Sequence, residues 1–341
     1  MRRVICLVGL IGLCLPLVVS GQDFAKVGTS GAQFLKIGIG ARAVAMSEAY
    51  VAVANDASAI FWNPAGLVLV EKNDLLLAHT EWMADVGIQA AAFAKTLEGI
   101  GTVGLSFSYL GSGDMDVTTV SEPQGTGETF SYSDFMLGAS YARWLTDKFA
   151  IGGNLKYVRE DFGTSNPITG EDIKASAWGV DIGTLYFTGY KSLRMGMSVQ
   201  NFGPELAPGG RVQDYTDYDP ELGDYIRDEE TGYRNYHMPL IFRVGLAMDL
   251  LDIEDHFVTA CVEADHPNDN IERLNMGAEY WLMNLIAFRA GYMARHDSQT
   301  VSFGAGFKFD VSDLGDVRVD YAYSDMGILD GVHRFSMGIG F

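Results

Sequence analysis

The sequence predicts an all-β transmembrane fold, an antiparallel outer-membrane β-barrel of about fourteen strands. Apolar residues alternate with small or polar ones through most of the chain after Leu75, which is the period of two that a β-strand shows. The alternating segments are about ten residues long, the length that a tilted strand needs to cross a bilayer. Tight connections alternate with generally longer ones, as periplasmic turns and extracellular loops do in bacterial outer-membrane barrels.

Residues 102–109 illustrate the alternation. Val103, Leu105 and Phe107 share one face, and the residues between them are glycine and serine. Across the chain this second face is mostly Gly, Ser, Asn and Ala, which is typical of a crowded barrel lumen. A soluble β-sandwich is the alternative, but its wet face should be rich in Lys, Glu and Thr. Weaker runs complete the count of about fourteen at 75–82, 87–95, 173–187 and 256–265.

The beginning of the chain is predicted to be a secretory signal peptide, residues 1–21. Two arginines precede an uncharged apolar run that is too short to span a membrane as a helix. Residues 22–72 lack the alternation and form a separate N-terminal unit, and residues 73–341 form the barrel. We therefore expect the protein in the cell outer membrane of a diderm bacterium.

The composition excludes an intrachain disulfide and disfavours nucleic acid as a partner. Cys6 and Cys14 fall in the signal peptide, which leaves Cys261 alone, so no intrachain disulfide can form. The formal net charge is -20, from 24 basic and 44 acidic residues, and such a balance disfavours nucleic acid.

The stretch before the barrel is predicted to be helical. Residues 41–54 are rich in alanine, with apolar residues at helical spacing after Gly38 and Gly40. Asp56 is predicted to be the N-cap of a second short helix. That helix should end before Pro64, because proline has no backbone N–H.

The segment DASAIFWNPAGL, with the preceding FLKIGIGARAVAMSEAY, resembles the N-terminal signature of FadL-type outer-membrane barrels, most closely their PorV/PorQ branch. The resemblance implies that residues 22–72 are a lead followed by a helical plug inside the barrel lumen. We expect the lead, residues 22–37, on the periplasmic side. A helical hairpin capping a soluble β-protein is the alternative. The expected plug and gate residues are Gly38, Gly40, Arg42, Asp56, Phe61, Trp62, Asn63, Pro64 and Ala65.

Charges inside the barrel are expected to pair with one another. Lumen-facing arginines such as Arg289 alternate with acids such as Glu279, which favours mutual pairing over a selectivity ring. Arg42 is the single charge between Gly40 and Met46. We hypothesise that it latches the plug by reaching Asp or Glu on the barrel wall.

The last residues alternate up to a terminal phenylalanine. This pattern resembles the C-terminal signature that the barrel assembly machinery reads. The last strand should also close the barrel against the first and so remove both open edges. The residues of the expected assembly signal are Phe335, Met337, Ile339 and Phe341.

The sequence contains no strong catalytic, cofactor or metal motif. Residues 38–43 fit G-x-G-x-x-A, but no parallel βαβ unit follows. The six histidines lack metal-ligand spacing, and there is no G-x-S-x-G nucleophile elbow. We predict a protein without enzymatic activity, metal or cofactor, although a barrel phospholipase could assemble its Ser and His without any linear motif.

The connection at residues 203–236 is acidic and rich in tyrosine. It could dock a protein, because aromatic side chains make good contact surfaces. A solvated loop is the alternative. The connection could also bind Ca²⁺, but it lacks the spacing of acidic residues that a hand-type Ca²⁺ loop has. The expected docking residues are Tyr215, Tyr218, Tyr225 and Tyr233.

The resemblance to the PorV/PorQ branch implies handling or shuttling of secreted or surface proteins that carry C-terminal sorting domains, in a type IX-like secretion pathway. The FadL resemblance implies the alternative, a channel for uptake of long-chain fatty acids or other hydrophobic small molecules. A purely structural barrel is the third hypothesis. The expected partners are outer-membrane lipid, the barrel assembly machinery and, under the first hypothesis, the secreted proteins.

Overall fold

The structure is a computed structural model that describes residues 27–166, 170–219, 224–296, 298–312 and 315–341. The predicted signal peptide, residues 1–21, lies outside the described residues. The strands in chain order are β1 (Asn73–Glu81), β2 (Gly87–Leu97), β3 (Gly101–Gly111), β4 (Met115–Asp116), β5 (Thr129–Phe130), β6 (Ser133–Trp144), β7 (Phe149–Ser165), β8 (Asp172–Phe187), β9 (Arg194–Phe202), β10 (Arg211–Asp219), β11 (Asp224–Gly232), β12 (Ile241–Ile253), β13 (His256–Pro267), β14 (Arg273–Leu282), β15 (Ile286–Ala294), β16 (Val301–Val311), β17 (Gly315–Asp325) and β18 (Gly331–Gly340).

Fourteen of the strands in these described ranges form one closed antiparallel barrel, which confirms the predicted fold class. The ring closes where β1 pairs with β18, with Asp74 opposite Gly340 and Glu81 opposite His333. The other four strands form two separate hairpins, β4 with β5 and β10 with β11, inside two of the long connections. Each hairpin lies in a long connection, so neither interrupts the barrel ladder.

The helices are short. Within the described ranges, two α-helices span Ala41–Ala45 and Ala59–Trp62. The same ranges contain four 3₁₀-helices, at Gln33–Lys36, Pro64–Leu69, Met83–Asp85 and Gly327–Leu329. Among the described residues, no helix has the length and apolar character needed to cross a membrane.

The two faces of the barrel wall decide between a membrane barrel and a sandwich. On β3, Leu105 is 63% exposed, while its neighbour Ser106 is 6% exposed inside the ring. The apolar face is therefore outside and the small polar face inside, the reverse of a soluble β-sandwich. This parity recurs along the strands, so the surface of the ring is suited to lipid rather than water.

Residues 32–70 of the N-terminal segment are largely buried against the inner side of the ring, whereas residues 27–29, 71 and 72 are exposed. The buried part contacts wall residues on strands around the circumference. Wall glycines permit the close approach: a Cβ at Gly277 of β14 would come within 2.7 Å of Met46, and one at Gly104 of β3 would come within 2.7 Å of Ile60. At these positions the wall accepts the segment because the side chain is absent.

The predicted helix at 41–54 was wrong in length, since it ends at Ala45. Ser47 and Glu48 have positive φ angles of 50° and 66°, which turn the chain. The N–H groups of Tyr50 and Val51 then donate to Glu263 on the wall, at 2.8 and 2.7 Å, rather than to a helical carbonyl. A buried carboxylate from β13 thus replaces the helix that local propensity favours.

The close packing of the wall against the N-terminal segment can be tested on two adjacent glycines of β7. Gly152 faces inward, and a Cβ there would lie 2.5 Å from the backbone N of Ala65, whereas the nearest neighbour of a Cβ at Gly153 is 3.6 Å away. We expect Gly152→Ala to destabilise the barrel by roughly 1–3 kcal/mol through overpacking. Gly153→Ala is the matched control and should behave as wild type. The measurement is the midpoint temperature of thermal unfolding, detected by the different gel migration of the folded and unfolded barrel. Equal midpoints for the two variants would contradict the close packing at Gly152.

Candidate functional site

The outer part of the N-terminal segment lies at the end of the barrel with the long connections. Gln33 Nε2 and Lys36 Nζ donate to the Asp269 carboxylate at 2.8 and 2.9 Å, and Ser30 Oγ donates to it as well. The Ala32 N–H donates to Glu160 at 2.8 Å. By the rule that long loops are extracellular, this end faces outward. The expected periplasmic position of the lead is therefore wrong for its described part.

Sequence reasoning missed both of these acceptors. Glu160 is an inward-facing acid on an alternating strand, so its parity was a usable signal. Asp269 lies in the connection between β13 and β14, where residue order gives no sign of a partner more than two hundred residues away.

Arg42 does reach a wall carboxylate, as the sequence hypothesis required. Its Nε and Nη2 atoms donate to the two oxygens of Glu279 on β14, at 2.9 and 2.8 Å. Glu279 also accepts from Arg289 at 2.6 Å, and Arg289 donates to Asp320 at 2.6 Å. This chain of alternating charges leaves each buried group with a partner of opposite sign, which burial requires.

The predicted N-cap at Asp56 was wrong, because Ser58 is the N-cap of the helix Ala59–Trp62. The Asp56 carboxylate accepts from the Ser58 N–H at 2.9 Å. It also lies 3.6 Å from Arg42 and 3.9 Å from Arg318 of β17. Asp56 therefore links a cation of the N-terminal segment to a cation of the wall.

The Asn63–Pro64–Ala65 turn is fixed to both the segment and the wall. Asn63 Nδ2 donates to the carbonyl of Val51 at 2.7 Å and to that of Thr184 on β8 at 3.0 Å. Its Oδ1 accepts from the Ala65 N–H at 3.1 Å, which caps the 3₁₀-helix that begins at Pro64. One buried amide thus satisfies backbone groups of three separate elements.

Trp62 and Phe61 border a small cavity in the lumen. Trp62 Nε1 donates to the Ile39 carbonyl at 2.9 Å, and the guanidinium of Arg243 lies 4.8 Å from the Trp62 ring centre. The cavity has a volume of about 40 Å³ and a mixed polar and apolar lining that includes Lys156. Such a space suits a few water molecules.

Gly38 and Gly40 flank Ile39, which is the acceptor of the Trp62 bond. A Cβ at Gly38 would meet the Glu48 carboxylate at 2.7 Å, and Gly40 has a φ of 92°. Both positions favour glycine, the first because of space and the second because of the left-handed backbone.

Three of the four predicted docking tyrosines lie on one hairpin, and docking by these residues stays a prediction. Tyr215 and Tyr218 lie on β10 and Tyr225 on β11, with Tyr218 directly opposite Tyr225 in the ladder. Tyr233 follows the hairpin, and its hydroxyl accepts from Asn166 Nδ2 at 3.3 Å. The hairpin therefore brings two of the four together, while Tyr233 packs toward the β7–β8 connection.

The C-terminal residues take part in ring closure. The backbone N and O atoms of Phe341 each bond to Asn73 at 3.1 Å, which joins the chain end to the start of β1. Phe335, Met337 and Phe341 are exposed on the outer face, and Ile339 is half-buried there. Recognition by the assembly machinery stays a prediction.

Among the residues that the structure describes, no group of three His, Cys, Asp or Glu side chains is placed to hold a metal ion.

The family model described as "Type IX secretion system protein PorV" matches residues 20–266. Among solved structures, the chain is similar to the Ralstonia pickettii toluene transporter TbuX, with 16% identity, coverage of 89% of this chain and 97% of that one, and a TM-score of 0.58. It is also similar to a Pseudomonas aeruginosa FadL homologue, with 11% identity, coverage of 89% and 99%, and a TM-score of 0.54. It is also similar to the CymD monoaromatic hydrocarbon channel, with 14% identity, coverage of 89% of this chain and 96% of that one, and a TM-score of 0.53. These identities establish a shared fold alone, and no curated protein matches the sequence.

The contact between Arg42 and Glu279 can be tested by truncation. Arg42→Ala removes three charge-assisted hydrogen bonds, two to Glu279 and one to Asn55, but leaves Glu279 paired with Arg289. We therefore expect a loss of roughly 1.5–3 kcal/mol in the free energy of unfolding. If the pair latches the segment, single-channel conductance in a planar bilayer should rise. Arg143→Ala, an exposed outer-face variant on β6, is the control. Wild-type conductance in Arg42→Ala would contradict a latch.

The attachment of residues 30–36 to the Asp269 carboxylate should depend on pH. Burial raises the pKa of Asp269, but the hydrogen bonds from Ser30, Lys36 and Gln33 outweigh it and hold the pKa below its ordinary value. A lowered folded pKa stabilises the attachment above the unfolded pKa of about 3.9, and this stabilisation is lost as pH falls through the folded pKa. At neutral pH, Asp269→Asn should therefore speed amide hydrogen exchange in residues 30–37.

The difference in exchange between this variant and wild type should disappear in strong acid. Glu272→Gln, in the same connection but exposed, is the control. Unchanged exchange in Asp269→Asn at pH 7 would show that the carboxylate does not hold the segment.

Proposed function

Because the chain belongs to the PorV family of type IX secretion system proteins, we propose that it binds secreted proteins carrying C-terminal sorting domains and passes them on for surface attachment. The protein is an outer-membrane β-barrel of a non-enzymatic family. Under this proposal residues 22–72 act as lead and plug, and binding takes place at the extracellular end.

The size of the cavity beside Phe61 and Trp62 is the observation that carries the proposal. Its volume is about 40 Å³, whereas an engineered apolar cavity that takes up benzene measures roughly 150 Å³. Pockets for larger ligands measure roughly 300–1,000 Å³. Lys156 and Asp181, which form an ion pair at 2.7 Å, also line it. Beside Phe61 and Trp62 the lumen is narrow and partly charged, and a wider, open cavity of about 560 Å³ lies at the end with the tight turns. The narrow part favours work on the outer surface over passage of a hydrocarbon.

The hairpin β10–β11 supplies the proposed docking surface. It stands apart from the barrel ladder, and residues 211–232 contain eight Asp or Glu and two Arg. An acidic, tyrosine-bearing strand pair suits a basic face on the secreted protein, because charge complementarity steers association and aromatic side chains contribute contact area.

The second candidate is uptake of hydrophobic small molecules. The solved structures similar in fold include proteins described as a toluene transporter and a monoaromatic hydrocarbon channel. The aromatic residues Phe34, Phe61 and Trp62 on the cavity wall also fit it. This candidate requires the N-terminal segment to move, so that the cavity grows several-fold.

Replacing residues 211–232 with a short Gly-Ser linker tests the first candidate. We expect at least roughly tenfold weaker capture of a purified secreted protein with a C-terminal sorting domain, since interface aromatic residues often contribute about 2 kcal/mol each. The control replaces residues 117–128, between β4 and β5 at the same end of the barrel. Unchanged capture would show that the hairpin is not the docking surface. Slower uptake of a hydrophobic tracer in a strain that lacks the protein would favour the second candidate.

A further inference from the structure

A concave apolar surface lies on the outside of the barrel, across strands β1 to β3 and β6 to β8. This surface, the lipid groove, is a shallow depression that is open to the outside and has a volume of about 840 Å³. Two adjacent rows of cross-strand neighbours form it. One row runs through Ala91, Phe107, Leu137, Tyr157 and Trp178, and the other through Phe93, Leu105, Ala139 and Leu155.

The concavity comes from small residues among large ones. Ala139 of β6 lies between Leu105 and Leu155, its neighbours on the two flanking strands, and each of these leucines is at least half exposed. Ala91 of β2 lies beside Phe107 in the same way. The methyl groups of Ala91 and Ala139 form the bottom of the groove, and the longer side chains of Leu105, Leu155 and Phe107 form its sides.

The position of the groove specifies its environment. It lies on the outward-facing side of membrane-spanning strands, where hydrocarbon chains surround the barrel. Toward the extracellular end it finishes at Tyr157 and Trp178, whose ring centres are 5.3 Å apart. Paired aromatic rings of this kind mark the level of the lipid headgroups.

A cation lies immediately beyond the aromatic pair. Arg159 follows Tyr157 by two residues on β7, so it shares the outward face and lies roughly 7 Å nearer the extracellular end. Among the described residues, no carboxylate lies within 4.0 Å of the Arg159 guanidinium, whereas the nearby Lys174 is paired with Asp161 and Asp172 at 3.2 and 2.7 Å. The hydrogen bond from Lys174 is the main cause of the lowered pKa of Asp172, and the charge of Arg159 contributes to it, so Arg159 and Asp172 are neighbours without direct contact. Arg159 is thus a cation that can meet an external anion.

We propose that the lipid groove and Arg159 together form a binding site for one phosphate-bearing lipid of the outer leaflet. An acyl chain lies in the groove over Ala91 and Ala139, and Arg159 binds the phosphate at the level of the headgroups. An unpaired guanidinium suits a phosphate because its planar donors bind two oxygens at once. The site is independent of the proposed secretion function, because it uses only the outer wall.

Native mass spectrometry of the detergent-purified full-length barrel with added lipid A tests the site. Ala139→Leu should fill the groove and displace about two methylene groups of the acyl chain, which corresponds to roughly tenfold weaker binding. Ala278→Leu, on the exposed outer face of β14 away from the groove, is the matched control and should bind as wild type does. Equal binding by Ala139→Leu and wild type would overturn the proposal.

Arg159→Gln tests the headgroup contact without altering the groove. It should abolish the preference for lipid A over phosphatidylethanolamine while leaving phosphatidylethanolamine binding unchanged. An unaltered preference would overturn the role of Arg159. Displacement of lipid A by inorganic phosphate alone would also overturn the proposal, because it would indicate an anion site that makes no use of the acyl chain.

Discussion

The structure depends on one constraint, which is that backbone polar groups in a bilayer core find no water. Each unsatisfied N–H or C=O there costs several kcal/mol, so strands can cross only as a closed ring. The pairing of β1 with β18, extended by the two bonds between Asn73 and Phe341, provides this closure. Once the ring is closed, its outward residues must be apolar and its interior has a fixed width.

That fixed width governs everything inside. The N-terminal segment fills the lumen, and glycines of the wall make room for its backbone and side chains. Charges enclosed with it are paired, as in the series Arg42, Glu279, Arg289 and Asp320, because an isolated buried charge would be strongly destabilising. Beside Phe61 and Trp62 this packing leaves only about 40 Å³, and the wider cavity of about 560 Å³ opens at the end with the tight turns. Interaction with other molecules therefore shifts to the barrel's ends and outer wall.

The sequence predicted features that neighbouring residues determine and missed those that depend on contacts between residues far apart in the chain. Alternation identifies strands because side-chain parity is set residue by residue, and Arg42 was a sound candidate because a lone charge in an enclosed segment needs a partner. The length of the first helix was not predictable, since Glu263 captures the N–H groups of Tyr50 and Val51 from more than two hundred residues away. The extracellular position of the described lead likewise rests on Asp269, which only the fold brings near.

The N-terminal segment is held by different means along its length. Its inner part is wedged against wall glycines and pinned by Asn63 to β8, so moving it requires the wall to move. Its outer part is held by polar contacts to Asp269 and Glu160, and Gly40 separates the two parts. These outer contacts are buried as well, with Asp269 and Glu160 each 3% exposed, but side-chain rotation alone can break them. Close backbone packing yields only when the wall moves. Any opening of the lumen would therefore begin at the extracellular end, where the hairpin β10–β11 also lies.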